Sequence, residues 1–368
     1  MKPIPLFCAA SANAGLDLRG AIDAVLDSHH FILGSKVRAF EQAYASYQRT
    51  DHCVSVANGS DALELALRAL GIGAPARVVT VANAGFYAST AVHAVGARPL
   101  YVDVTEDTLT LCPDALAQAL ALAPKPAAVI ATHLYGQMAN MPAIAALCAN
   151  AGVALIEDCA QAHGAELQGK KAGAWGDLAC LSFYPTKNLG ALGDGGAVLT
   201  ANAALADRLR QLRQYGWSDK YHVDIPGGRN SRLDELQAAV LLAKLPQLDA
   251  HNAWRRRVAA RYSAALAGLP LRCPAPPGPD FVAHLYVLRT AQRDALAQHL
   301  QAQAVGFGLH YPVADHLQRA YPGAACCGPL TVTQQACAQV LSLPCYPGLS
   351  DADVDRVSAA VRSFFARA

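Results

Sequence analysis

The sequence predicts an α/β protein: a large domain with a mainly parallel sheet over residues 1–245, then a smaller α+β domain over 246–368. Three observations lead there. Between about residues 50 and 200, short β-rich runs alternate with alanine- and leucine-rich helical patterns. The strand runs are apolar without interruption, as strands covered on both faces are. From Pro246 onward the alternation gives way to a long helical stretch, a proline-rich loop and mixed short elements.

The candidate strands, in order, are 53–56, 77–81, 99–102, 127–132, 153–157, 179–183 and 197–200. Helical patterns fall between them at 61–70, 86–95, 113–122 and 142–150. Pro113 and Pro142 suit first helical turns, where the missing N–H costs nothing. A helix from Asp234 to about Leu245 ends near Pro246, and a longer one runs to about Leu266, where Gly268 can stop it. The loop Pro274-Ala275-Pro276-Pro277-Gly278-Pro279 marks a connection. Beyond it, 281–288, a helix near 293–304, 305–310 and a terminal helix from Ala352 make the smaller domain.

At 368 residues, 53% apolar and 16% charged, the chain can bury a full core. A net charge of +2 gives no electrostatic footprint for nucleic acid or an anionic membrane. No run reaches the ~18 apolar residues of a membrane span, and the start, Met1 to Phe7, lacks the apolar core of a secretory signal. Eleven cysteines form no CxxC pair and no Cys/His ligand spacing, so no metal site is expected. Cys53, Cys159 and Cys180 sit in apolar runs, where a reduced cysteine behaves as a small hydrophobe. These features point to a reduced, cytoplasmic protein.

Ligands of such sheets bind at the carboxyl ends of the strands. Three such ends carry polar groups: Gly59-Ser60, Asp158, and the turn Ser182-Phe183-Tyr184-Pro185-Thr186-Lys187-Asn188-Leu189-Gly190. A lysine in a hydroxyl- and glycine-rich turn, with an acid from a separate strand, is what pyridoxal phosphate chemistry needs. The lysine forms the Schiff base, the acid holds the pyridinium nitrogen protonated, and hydroxyls and backbone N–H groups take the phosphate. Each segment also has a simpler reading: a capped helix start at Gly59-Ser60, a turn cap at Asp158, a core aromatic at Phe86, a helix cap at Asn230 and a surface lysine at Lys187. Against the last, few charges surround Lys187, and desolvation would lower its pKa. Gln161 and His163 add polar groups to a segment otherwise suited to burial, and buried polar groups need partners.

Taken in order, Asn58 to Leu63, Val102-Asp103-Val104, His133-Leu134-Tyr135-Gly136, Glu157 to Gly164, Ser182 to Gly190, Gly193 to Val198 and Asn230 to Ala239 resemble the nucleotide-sugar aminotransferases of the DegT/DnrJ/EryC1/StrS family. The likeness runs from Ile4-Pro5-Leu6-Phe7 and Phe31-Ile32-Leu33-Gly34 to Leu343-Pro344-Cys345-Tyr346-Pro347-Gly348. It implies a fold-type I pyridoxal 5′-phosphate enzyme of the aspartate aminotransferase-like kind, a homodimer with each active site built from both subunits. On its motifs, Lys187 is the Schiff-base lysine, Asp158 the pyridinium partner, Gln161 the contact to the phenolic oxygen and Phe86 the aromatic stacked on the ring. Gly59, Ser60 and Ser182 would bind phosphate, joined by Asn230 from the other subunit. Ala84-Gly85 departs from the family, which often has a bulkier pair there.

The resemblance further implies ping-pong transfer of an amino group from L-glutamate to a keto sugar nucleotide. Some relatives are dehydratases with histidine at the lysine position, and Lys187 argues against that branch. Tyr184, Lys220 of the partner subunit, His310 and Tyr311 look like the sugar-lining pattern of enzymes acting on dTDP-3-keto-6-deoxyhexoses. The alternatives are a 4-keto sugar aminotransferase using dTDP or UDP sugars, and a non-catalytic regulatory relative. A nicotinamide-dependent oxidoreductase would need GxGxxG after the first strand, and Ala57-Asn58-Gly59-Ser60-Asp61 lacks it.

Overall fold

The computed structural model describes residues 2–366. Besides a short hairpin of Glu166–Leu167 with Lys170–Lys171, the strands are β1 (His52–Val56), β2 (Arg77–Val81), β3 (Arg98–Val102), β4 (Ala128–Thr132), β5 (Ala154–Asp158), β6 (Leu178–Ser182), β7 (Gly196–Thr200), β8 (Trp217–Asp219), β9 (His222–Val223), β10 (Tyr286–Arg289), β11 (Ala325–Cys326) and β12 (Val340–Leu343). Eight of them form the central sheet among the described residues, in the order β1-β7-β6-β5-β4-β2-β3-β11. Neighbours from β6 to β11 run parallel. The exception is β7, antiparallel to both β6 and β1. Two reversals leave β1 pointing the same way as β6, so β1, β2, β4, β5 and β6 all end on one edge.

After a single helical turn at Ala9–Ala12, the helices are α1 (Leu18–Ser28), α2 (Ser35–Gln48), α3 (Gly59–Ala69), α4 (Tyr87–Ala94), α5 (Pro113–Leu120), α6 (Met141–Ala151), α7 (Ala203–Leu212), α8 (Glu235–Lys244), α9 (Leu248–Ala265), α10 (Arg293–Ala302), α11 (Thr331–Gln339) and α12 (Asp351–Phe365). Among the described residues no helix is long and apolar enough to cross a membrane. Successive strand residues face opposite sides of a sheet, and here both sides are covered. Val79, Val129 and Leu155 join a core with residues of α2, α5, α6 and α8. Val78, Ile130 and Ile156 join a second core with α3, α4 and α7. The uninterrupted apolar runs follow from this double covering.

A third core holds the smaller domain, with Val258 and Tyr262 of α9, Tyr286 and Leu288 of β10, Leu341 and Leu343 of β12, and Val354 to Val361 of α12. Two details depart from the cut at residue 245. Ile4 lies in this third core and bridges to Val305, so the N-terminal segment packs with the smaller domain. In the other direction, β11 returns to pair with β3 and covers what would be an open sheet edge. The stretch 305–310 forms isolated bridges rather than a strand, and α1 and α2 precede the first element read from the sequence.

Two carboxylates clamp helix starts from a distance. Glu235 accepts from the backbone N–H groups of Gly34 (2.7 Å), Lys36 (2.8 Å) and Val37 (2.8 Å), capping α2, whose own N-cap Gly34 has no side chain. Asp103 accepts from the N–H of Val332 and of Thr333, both at 2.9 Å, and caps α11.

Candidate active site

On the shared strand edge, β1 leads through Asn58 into α3. The Asn58 side chain accepts from the Asp61 N–H at 2.8 Å, while the Gly59 and Ser60 amides have no acceptor within the helix. A Cβ on Gly59 would lie 2.6 Å from the Ser182 Cβ, so the helix start sits directly on the end of β6. Free amides, a helix N-terminus and two hydroxyls in one place form a cradle for a phosphate.

This cradle is one wall of a cavity of about 590 Å³. Asp158, Gln161, Ser182 and Lys187 line it with Gly59 and Ser60. A second cavity, of about 280 Å³, is lined by His310, Tyr311, His284 and Arg255. Tyr87, Tyr184 and Lys187 border both, so the two meet at the lysine.

Desolvation brings the Lys187 amine down to about 8, opposed by the Asp158 charge. About a tenth of the amine is therefore unprotonated at pH 7, far more than for an ordinary lysine, and this is the form that attacks a carbonyl. Asp158 is nearly buried and accepts one backbone N–H, from Ala160 at 3.1 Å. Burial raises its carboxyl above the usual range, with Lys187 acting in the opposite sense. A buried carboxylate with so few donors, facing a cavity, has room for a cationic N–H partner.

The lysine turn is held from behind by a buried polar chain. His163 Nε2 lies 2.9 Å from the Ser182 carbonyl oxygen and Nδ1 lies 2.9 Å from the Tyr44 hydroxyl. A carbonyl can only accept, so Nε2 carries the hydrogen and Nδ1 accepts from Tyr44. Burial lowers this imidazole to about 4 and keeps it neutral. Asn188, next to the lysine, donates to Asn252 of α9 (2.8 Å) and to the Val282 carbonyl (3.1 Å). Phe40 and Tyr44 of α2 pack edge-on against Phe183. The turn that carries Lys187 is thus anchored to both domains.

Seven of the residues expected from the sequence line the first cavity: Gly59, Ser60, Asp158, Gln161, Ser182, Tyr184 and Lys187. His310 and Tyr311 line the second. Gln161 joins the two, with Oε1 accepting from the Tyr135 N–H (2.6 Å) and Nε2 donating to the Tyr311 hydroxyl (3.1 Å). Phe86 departs from expectation. It takes a left-handed backbone conformation (φ 70°) at the start of α4, which turns its ring away to pack on His93 and Tyr321. Its neighbour Tyr87 lines both cavities instead. Lys220, on the β8–β9 hairpin, and Asn230 are exposed and line neither cavity. Sequence reading missed Tyr87, Arg255 and His284. The signal for Tyr87 was its adjacency to Phe86; the two others carried none, because each lies in the domain distant in sequence.

Residues 15–362 match the DegT/DnrJ/EryC1/StrS aminotransferase family. The chain is 45% identical over 362 residues to the dTDP-3-amino-3,4,6-trideoxy-alpha-D-glucose transaminase of Streptomyces venezuelae, covering 98% of this chain and 95% of that one. It is 42% identical to the UDP-N-acetyl-3-dehydro-alpha-D-glucosamine 3-aminotransferase of Acidithiobacillus ferrooxidans, covering 93% and 92% of the two chains. Among solved structures, S. venezuelae DesV superposes with a TM-score of 0.95 at 42% identity over 100% of both chains. With the lysine, the acid and the phosphate cradle around one cavity, the chain belongs to the DegT/DnrJ/EryC1/StrS aminotransferase family and is a pyridoxal phosphate-dependent aminotransferase.

Proposed function

We propose that the chain transfers an amino group from L-glutamate to C-3 of a dTDP-3-keto-6-deoxyhexose. The observation that carries the chemistry is the meeting of Lys187, Asp158 and the α3 N-terminus on one cavity. C-3 is favoured because two relatives named for different nucleotides, dTDP and UDP, are both named for position 3. The dTDP moiety follows the higher identity.

Pyridoxal phosphate fits the residues present: Gly59, Ser60 and Ser182 for its phosphate, Asp158 for its ring nitrogen, Gln161 and Tyr87 for the rest of the ring. Bound there, it supplies a carbonyl carbon that carries the amino group between substrates and a ring that accepts electron density. Asp158 holds a positive charge at the ring nitrogen, because an ionised carboxylate in this buried place needs a cation. Lys187 takes a proton from one carbon and returns it to another, a task suited to an amine near 8. Tyr184, His310 and Tyr311 surround the sugar.

The site is completed by a second copy of the chain. Tyr184 and Tyr87 are about half exposed, and Phe31, Ile32, Leu192, Tyr221 and Val223 add further exposed apolar surface. Lys220 and Asn230 are exposed and line neither of their own cavities, which leaves them free to serve the partner's sugar and phosphate. The free cysteines support a reducing, cytoplasmic compartment.

The test is an absorbance spectrum of the cofactor-loaded protein with L-glutamate, followed by dTDP-3-keto and dTDP-4-keto sugars in turn. Glutamate should shift the cofactor band and the 3-keto sugar should restore it. Restoration by the 4-keto sugar alone would move the reaction to C-4.

A further inference from the structure

The second cavity differs in charge from the first. Asp61, Asp158 and Asp194 face the first cavity beside Lys187. The second is lined by Lys187, Arg255, His284 and His310, with no carboxylate among its lining residues. Arg255 is 2% exposed and lines the cavity. Its Nη1 donates to the backbone carbonyls of His284 (3.0 Å) and Cys345 (2.5 Å); its Nε is buried without a partner, and no hydrogen bond within the described residues occupies Nη2. Among the described residues no carboxylate pairs with it.

Leaving a buried guanidinium without a counter-charge is costly, and such cations are ordinarily paired. A planar fork with a free donor matches a carboxylate in particular. A ping-pong aminotransferase must receive a charged amino acid and then a sugar ring in the same place, so part of its site has to serve the first alone.

We propose that Arg255 binds a carboxylate of the amino donor, which makes the second cavity a subsite for anionic amino acids. The assignment rests on the aminotransferase reading above. The same chemistry could serve the diphosphate of the sugar nucleotide, and the test separates the two. Tyr87, Tyr184, His310 and Tyr311 then hold the sugar ring, and Arg255 acts in the donor half-reaction only.

Glutarate, a dicarboxylate with no amino group, reads the site without turnover. Calorimetric titration of the cofactor-loaded protein should show that glutarate binds and that uncharged glutaramide does not. Arg255→Gln should weaken glutarate about 10-fold or more and leave dTDP affinity unchanged. Arg255→Lys keeps a cation among the core carbonyls and covers the case in which the Gln variant does not fold. Its loss should be smaller and again confined to glutarate. Equal binding of glutarate and glutaramide by the wild type overturns the proposal. So does unchanged glutarate affinity in either folded variant, a loss confined to dTDP, or an equal loss of both ligands in Arg255→Lys. Failure of L-glutamate to shift the wild-type cofactor band would instead overturn the aminotransferase reading.

Discussion

Glu157 and Asp158 are neighbours on β5, and they have opposite fates. Glu157 shares the face of Leu155, the one covered by α2, α5, α6 and α8, and receives four donors: the N–H groups of Gly173 (2.9 Å), Trp175 (2.7 Å) and Gly176 (2.8 Å), and His133 Nε2 (3.0 Å). The His133 ring is fixed in turn, because Nδ1 accepts from the Ala139 N–H at 3.1 Å. Asp158, one residue on and so on the other face, receives a single backbone N–H and borders the cavity. The pair teaches how a strand end divides labour: one carboxylate is used up by the fold, and its neighbour is left short of donors for a ligand to complete.

The largest effect should come from the group that Asp158 faces. Lys187→Ala should lower kcat by ~10³-fold or more, since it removes both the nucleophilic amine and the proton carrier. Its melting temperature should not fall, because a buried amine held to about 8 contributes little to folding. The sign follows from linkage. Between about 8 and the ordinary lysine value, the unfolded chain binds more protons at this position than the folded one. The cofactor-free wild type therefore gains stability as pH rises through that window, and Lys187→Ala should flatten this gain. Substantial turnover by Lys187→Ala would break the assignment.

Asp158→Asn comes next. It should cost about 10²–10³-fold in kcat, with a melting temperature at or above the wild type, because it removes a poorly partnered buried charge. Glu157→Gln should do the reverse and lose about 2–3 kcal/mol of stability by placing an amide NH₂ against backbone donors. Its kcat should change little at temperatures where it stays folded. If thermal melts show Asp158→Asn destabilised as much as Glu157→Gln, the division between the two carboxylates fails.

The ligand-facing half of this division was legible in the sequence, the fold-serving half was not, and the limits are physical. Lys187, Asp158 and Gly59-Ser60 could be found because strand ends of a parallel sheet share one edge. The roles of Glu157, Asp103 and Glu235 could not be read, because each carboxylate serves backbone amides far along the chain. They are helix and loop clamps. The reversal of β7 escaped notice because an apolar run carries no direction. Phe86 and Tyr87 could be told apart only by a backbone angle. Helix α2 was within reach: Val37, Phe40 and Tyr44 fall at helical spacing and are all buried.

A third buried carboxylate extends the comparison. Asp315 accepts from the Phe86 N–H (3.0 Å) and the Ser89 hydroxyl (2.6 Å), tying the segment after Tyr311 to the start of α4. Two donors place it between Glu157 and Asp158, and burial pushes its carboxyl up to about 6. The folded state then binds the proton more tightly than the unfolded chain. Between the ordinary aspartate value and about pH 6, this group makes stability fall as pH rises. Asp315→Asn should remove that part of the pH slope and differ from the wild type by about 1 kcal/mol or less at pH 7. There, one lost acceptor is offset by one buried charge removed. Denaturant titrations at pH 5 and 7 would measure both quantities. A loss at pH 7 as large as that of Glu157→Gln would mean that two donors already satisfy a buried carboxylate here. Donor count would then no longer separate residues that serve the fold from those that await a ligand.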